Sequence, residues 1–174
     1  MHIIELTKSS KTKLRVLPIL LAFTMVSLVP VLVFGKSVAE WDFSKGTQGW
    51  TGNSRVEKLS SSPEGLLVKS TGDDPWIEGP AIDLPGEKII RVRIRMKSNV
   101  DTGAELFYGR AFRAGHSVRF TTRNDGQWHN YSLVIREKLG RGTRFRLDPC
   151  TGQGEVTVAF IKVEGIGEIG RAHV

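Results

Sequence analysis

The chain has 174 residues, 40% of them hydrophobic and 25% charged, with seven Pro and one Cys. Once a targeting segment is set aside, that leaves a single domain of about 130 residues, an ordinary size. One Cys excludes an intrachain disulfide framework and a Cys-based zinc cluster. The formal charge of +7 invites a nucleic-acid reading, but part of it lies in the N-terminal segment. Residues 1–39 hold five of the 25 Lys and Arg and one of the 18 acids, so removing them leaves 20 against 17, a net +3.

Residues 1–15 are polar and basic, and residues 16–35 are an apolar run. Ser37-Val38-Ala39 then supplies small residues where a signal peptidase requires them. This tripartite pattern predicts a secretory signal helix over residues 1–39, cleaved before Glu40. The competing reading is an uncleaved anchor, since such a run can span about 30 Å of hydrocarbon with its basic flank cytoplasmic. Pro18, Pro30 and the small-residue site favour cleavage. Both readings place the domain outside the cytoplasm, and a membrane is a partner only if the signal stays attached.

Residues 40–167 show no long 3.6-residue amphipathic pattern. Short apolar or alternating runs are separated by Gly, Pro, Asn and Asp, which predicts an all-β antiparallel sandwich of jelly-roll type. The expected strands are Trp41–Phe43, Arg55–Leu59, Gly65–Ser70, Trp76–Leu84, Ile89–Lys97, Ala104–Tyr108, Ser117–Thr122, Trp128–Ile135, Thr143–Leu147 and Glu155–Val163. Turns are expected at Lys45-Gly46, Gly72–Pro75, Leu84–Gly86, Asn124–Gly126 and Thr151–Gly154, where Gly accepts a positive φ without steric cost. The clearest strand alternates Ile90, Val92, Ile94 and Met96 with Arg91, Arg93, Arg95 and Lys97, so one face is apolar and the other cationic. Around Trp128 the alternation buries Trp128 together with Leu133 and Ile135 only if a bulge shifts the phase. Trp41, Trp50 and Trp128 are expected in the core.

The tail Glu168-Ile169-Gly170-Arg171-Ala172-His173-Val174 back-translates to GAGATCGGAAGAGCACACGTC, which resembles the start of a common sequencing adapter. Residues 168–174 are therefore expected to be an artefact. On that reading the gene continues beyond this chain, and a downstream domain is an expected partner.

Trp41-Asp42-Phe43 with Gly49-Trp50, and Ser70–Ile77 followed by Gly79-Pro80, resemble segments of galactose-binding-like β-sandwiches of the carbohydrate-binding-module type found in secreted bacterial proteins. Arg95–Ser98, Glu105–Tyr108, Asn124–His129 and Leu147–Pro149 extend the resemblance over about residues 40–164. It implies a noncatalytic module joined to a polysaccharide-active enzyme such as a sulfatase or glycoside hydrolase. It also implies a structural calcium held by loop carbonyls and carboxylates near the chain ends, although no motif here fixes such a site.

Between the two ends, the histidines are His116 and His129. There is no HExxH, GxSxG, GxxxxGK[ST] or GxGxxG opening a helix. A triad of Ser117, His116 or His129, and Asp125 exists only on paper. Asp73 with Asp74, and Asp125 with Asp148, stand in Gly/Pro contexts where Asp usually forms turns rather than a glycosidase pair. No enzyme activity is expected of this chain.

A sugar site needs aromatic rings with polar tips or neighbours. The candidates are Trp76, Tyr108 and Phe112, with Arg110, Arg113, Asp73 and Asn124 as polar partners. Most of them sit on loops, where a rigid scaffold displays binding groups. Charge is uneven: residues 91–146 hold 13 basic and four acidic residues. Arg suits sulfate or carboxylate, so one reading is an anionic polysaccharide. The other is a solvated face that offsets the acidic first half. No nucleic-acid motif is present. Cys150, in a turn without basic neighbours, is expected to be inert. The reading that follows is an exported carbohydrate-binding module, with a structural or interaction β-sandwich lacking any sugar site as the alternative.

Overall fold

The computed structural model describes residues 36–84, 86 and 89–166. The signal segment up to residue 35, Pro85 of the expected Leu84–Gly86 turn, and the tail 168–174 lie outside the described residues. Among the described residues no helix is long and apolar enough to cross a membrane.

The domain is a sandwich of two antiparallel sheets, as the turn-punctuated sequence predicts. The first contains β1 (Lys36–Asp42), β3 (Ser60–Ser62), β4 (Gly65–Ser70), β6 (Ile90–Ser98), β9 (His129–Ile135) and β11 (Gly154–Gly165). Its order is β3-β4-β11-β6-β9, with β1 also on β11. The second contains β2 (Thr51–Gly52), β5 (Ile77–Glu78), β7 (Gly103–Gly109), β8 (Ser117–Thr121) and β10 (Arg144–Asp148), in the order β2-β5-β10-β7-β8. β11 is the spine of the first sheet. β6 runs along one side of it, while β4 takes residues 154–158 and β1 takes 160–165 on the other. A register shift between Val158 and Phe160 marks the change of partner.

The alternation of β6 holds in full: Ile90, Val92, Ile94 and Met96 are buried. They pack with Leu66, Val68, Val156, Val158, Ile161 and Val163 of the same sheet, and with Ile77, Leu106, Phe145 and Leu147 of the other. Each such side chain contributes about 1.5–3 kcal/mol on leaving water. Trp50 closes one end of the core, edge-on to Trp41 at 5.4 Å and to Phe43 at 5.7 Å.

Three expectations change. Arg55–Leu59 is not a strand: Val56 makes an isolated bridge to Ser70, and pairing resumes only at β3. Trp76–Leu84 shortens to Ile77–Glu78 with a bridge at Ile82, because Pro80 offers no N–H to the ladder. Trp128 is not core. No bulge shifts β9, whose His129, Tyr131, Leu133 and Ile135 face Met96, Ile94, Val92 and Ile90 in phase, and Trp128 stays half-buried beneath Arg95 and Lys97. At the N-terminus, β1 begins at Lys36, so the expected boundary between Ala39 and Glu40 falls inside a paired strand.

Gly65 opens β4 at φ +135°, and a Cβ there would stand 2.3 Å from the Val158 carbonyl oxygen. Gly65→Ala is expected to cost about 2–4 kcal/mol, from backbone strain plus the clash. Thermal unfolding followed by circular dichroism measures it.

Candidate functional site

The outer face of the five-stranded sheet follows from burial of its inner face. In β10, Phe145 and Leu147 point inward, so Arg144, Arg146 and Asp148 point out. In β7, Ala104, Leu106 and Tyr108 are buried, which turns Glu105 and Phe107 outward. Register then sets the neighbours: Arg146 lies opposite Phe107 on one side and Glu78 on the other. Asp148 lies opposite Glu105, and Glu105 opposite Arg119.

Arg146 is the centre of this face. Its Nε donates to Asp148 Oδ1 at 2.8 Å and its Nη2 to Oδ2 at 2.6 Å, a bidentate pair. Its guanidinium carbon lies 4.9 Å from the Trp76 ring centre and 4.8 Å from that of Phe107, so the fork is held between two rings. Beside it, Arg144 pairs with Glu78 and lies 5.3 Å from the Phe112 ring centre. Phe112 meets Phe107 edge-on at 6.5 Å. On the far side, Glu105 accepts from Arg119 Nε at 3.1 Å and from Ser117 Oγ at 2.5 Å.

Two adjoining depressions run over this face. One, of about 790 Å³, is lined by Asp73, Asp74, Glu105, Arg119, Asp148 and Thr151 among others. The other, of about 490 Å³, shares Glu105 and Arg119 and continues past Phe107 to Gly115. Two buttresses fix the walls. Asp101 accepts from Gly103 N, Thr151 N and Gly152 N at 2.8–3.0 Å, tying the end loops together. Asn53 accepts from Trp76 N at 3.4 Å and donates to the Asp74 carbonyl at 2.8 Å, setting the loop that carries Trp76.

The candidate residues divide accordingly. Asp73 lines the larger depression, exposed and 3.8 Å from Arg55, while Trp76 and Phe112 stand beside the depressions, Trp76 against Arg146 and Phe112 against Arg144 and Phe107. Arg110 stands at the rim, its Nε donating to the Arg141 carbonyl at 2.8 Å. Arg113 is exposed on the β7–β8 loop, where its carbonyl accepts from His116 N. Tyr108 is a correction. It is 7% exposed and part of the core, so its ring is closed to a ligand. Asn124 is exposed on the β8–β9 turn and lines neither depression. Phe107 and Arg146 were missed. The alternation that buries Leu106 and Tyr108 is the signal that would have turned Phe107 outward.

Burial pushes the Asp148 carboxyl above its usual 3.8, helped by Asp74 and Glu105 and opposed by Arg146. Its lone pairs are committed to Arg146, and those of Glu105 to Arg119 and Ser117, so this opposed pair is a brace rather than a free acid and base. The Ser117 hydroxyl points to Glu105, while His116 pairs with Glu137 at 3.3 Å and His129 with Asp125 at 2.9 Å. The paper triad is therefore not assembled. Among the described residues no group of three or more His, Cys, Asp or Glu side chains converges as metal ligands would. Near the start of the domain, Asp42 is bonded by Ser44 and Lys45, and Glu40 pairs with Lys162.

No family model matches the chain, and no curated protein matches it. Solved structures do. A xylan-binding module, CBM15, superposes with a TM-score of 0.57 at 16% identity, covering 77% of this chain and 99% of that one. The second N-terminal cellulose-binding domain of β-1,4-glucanase C from Cellulomonas fimi gives 0.59 at 9% identity, with 77% and 97% covered. The CBM22-1 xylan-binding domain of Xyn10C from Paenibacillus barcinonensis gives 0.52 at 11%, with 77% and 97% covered. The chain thus has the β-sandwich fold of carbohydrate-binding modules.

Two outcomes test the site's electrostatics. In a carbon-detected NMR titration, Asp148 is expected to titrate above 3.8 and Asp125 below it, because Gln127 N–H and His129 hold the Asp125 charge. Arg146→Ala is expected to move Asp148 further up, since it removes the opposing cation. Burial raises the Cys150 thiol to about 11. Iodoacetamide at pH 8 is therefore expected to leave Cys150 unmodified in the folded protein and to alkylate it after unfolding, as mass spectrometry would show.

Proposed function

We propose that this chain is an exported, noncatalytic carbohydrate-binding domain that takes a polysaccharide along the groove on its five-stranded sheet. The observation that carries the reading is the braced row of rings. Trp76 and Phe107 clamp Arg146, and Phe112 lies against Arg144 and Phe107, all on the outer face of the sheet. Pyranose C–H faces stack on such rings. The guanidinia keep spare N–H donors for sugar hydroxyls, and their order lowers the entropy lost on binding.

The groove favours a neutral chain. Arg144, Arg146 and Arg119 are each paired with Glu78, Asp148 or Glu105, and Asp73 and Asp74 add negative charge at one end. A sulfated or uronate polymer would meet carboxylates there. The fold supports this reading, since xylan- and cellulose-binding domains share it. The broader role, also proposed, is to hold a downstream polysaccharide-active domain such as a sulfatase or glycoside hydrolase at its substrate.

Affinity electrophoresis in gels containing xylan, soluble cellulose derivatives or mixed-linkage glucan tests the reading. At least one neutral polysaccharide is expected to retard the protein, and Phe107→Ala or Trp76→Ala to weaken that about tenfold with folding intact. No retardation by any of them would instead favour an interaction domain without a sugar site.

A further inference from the structure

The opposite side of the sandwich carries a different surface. The outward residues of β6 are Arg91, Arg93, Arg95 and Lys97, and register sets their neighbours. Arg93 stands directly opposite Lys162 of β11 and Ser132 of β9, while Arg95 stands opposite Phe160 and Asn130. Like charges directly opposed across a ladder are unfavourable. One buried carboxylate, Glu164, serves three cations: Arg93 at 3.6 Å, Lys162 at 3.8 Å and Arg91 at 4.0 Å. Arg95 is exposed and makes no ion pair among the described residues. Trp128 lies 5.5 Å from the Arg95 guanidinium and 4.9 Å from the Lys97 ammonium, so its half-buried ring underlies the end of the row.

We propose that the β6–β9 strip of this face is a second glycan site, for a single strand of anionic polysaccharide bearing sulfate or carboxylate. Arg93 and Arg95 would grip the anionic groups and Asn130 and Ser132 would bond hydroxyls, while Trp128 supports the Arg95 guanidinium from beneath. The site shares no residue with the groove. Its cations are unevenly compensated, whereas Arg119, Arg144 and Arg146 of the other face each have at least one carboxylate partner of their own. Alternate residues on one strand face lie about 7 Å apart, so the two guanidinia can hold successive anionic groups of an extended chain. The acids mark the limits of the strip. Glu40 lies beyond Lys162 on β1, and Glu64 reaches Lys97 from the β3–β4 side. What remains is about two strands wide, roughly 10 Å. That width suits one polymer strand, whereas a duplex or a lipid surface would press onto the flanking carboxylates.

Affinity electrophoresis with heparin and with polygalacturonate, set beside a neutral xylan gel, tests this site apart from the groove. The protein is expected to be retarded by at least one anionic gel at low salt, and to lose that retardation as ionic strength passes about 0.1 M, where the screening length is about 10 Å. Arg93→Gln with Arg95→Gln is expected to weaken anionic retention about tenfold while leaving neutral retention unchanged. Phe107→Ala should do the reverse. Asn130→Asp, an exposed change that gives Arg95 an internal partner, is expected to weaken anionic retention as well, and it serves as the second probe should the arginine pair unfold. The proposal is overturned by a wild-type protein that neither anionic gel retards, by arginine variants retained like the wild type, or by equal arginine-dependent binding to a DNA duplex or to vesicles of anionic lipid.

Discussion

Both surfaces of this protein depend on the two-residue period of a strand whose one face is dry. Phe145 and Leu147 have no place but the core, so Arg144, Arg146 and Asp148 have no place but the outside. The same constraint on β6 displays four cations on the other side of the sandwich. A slip of one residue in either strand would bury guanidinia in a medium that penalises unpaired charge by several kcal/mol. The cost of misregister therefore holds the functional groups in position before any specific contact does.

On that frame the two faces handle charge differently. The five-stranded sheet matches each outward guanidinium to a carboxylate and uses rings to restrain it. Arg146, with a bidentate partner and an aromatic ring on either side, shows the principle most fully. The cost shows in Asp148, whose carboxyl is harder to ionise because burial outweighs the help from Arg146. The six-stranded sheet instead leaves Arg95 without a carboxylate partner among the described residues and shares Glu164 among three cations. One face is thus a neutral, ring-lined cleft, and the other a shallow strip with surplus positive charge.

Legibility from sequence tracked the kind of information each residue carried. β4 was expected at Gly65–Ser70 and lies there, and β6 to β11 fall within a residue or two of expectation, because alternation and Gly/Pro punctuation are local signals. The rings were harder. Trp128 reads as core by hydrophobicity alone, but it precedes β9 and spends its area under Arg95 and Lys97. Tyr108 reads as a stacking ring by residue type, although the alternation Ala104, Leu106, Tyr108 assigns it inward and Phe107 outward. Asn124 lies exposed on the β8–β9 turn, a placement that only the closed sandwich reveals.

By itself the sequence determined the class of fold, the inward set of each long strand and the scarcity of reactive side chains, because each of these is written in neighbouring residues. It also located the basic block at residues 91–146. Only the tertiary structure decided that this block divides between two opposite faces. Arg144 and Arg146 become paired groove walls, while Arg93 and Arg95 become an under-compensated strip on the far side. Whether a charge is neutralised depends on which strand lies beside it, and strands distant in sequence, such as β5 beside β10 or β11 beside β6, become neighbours only when the sandwich closes.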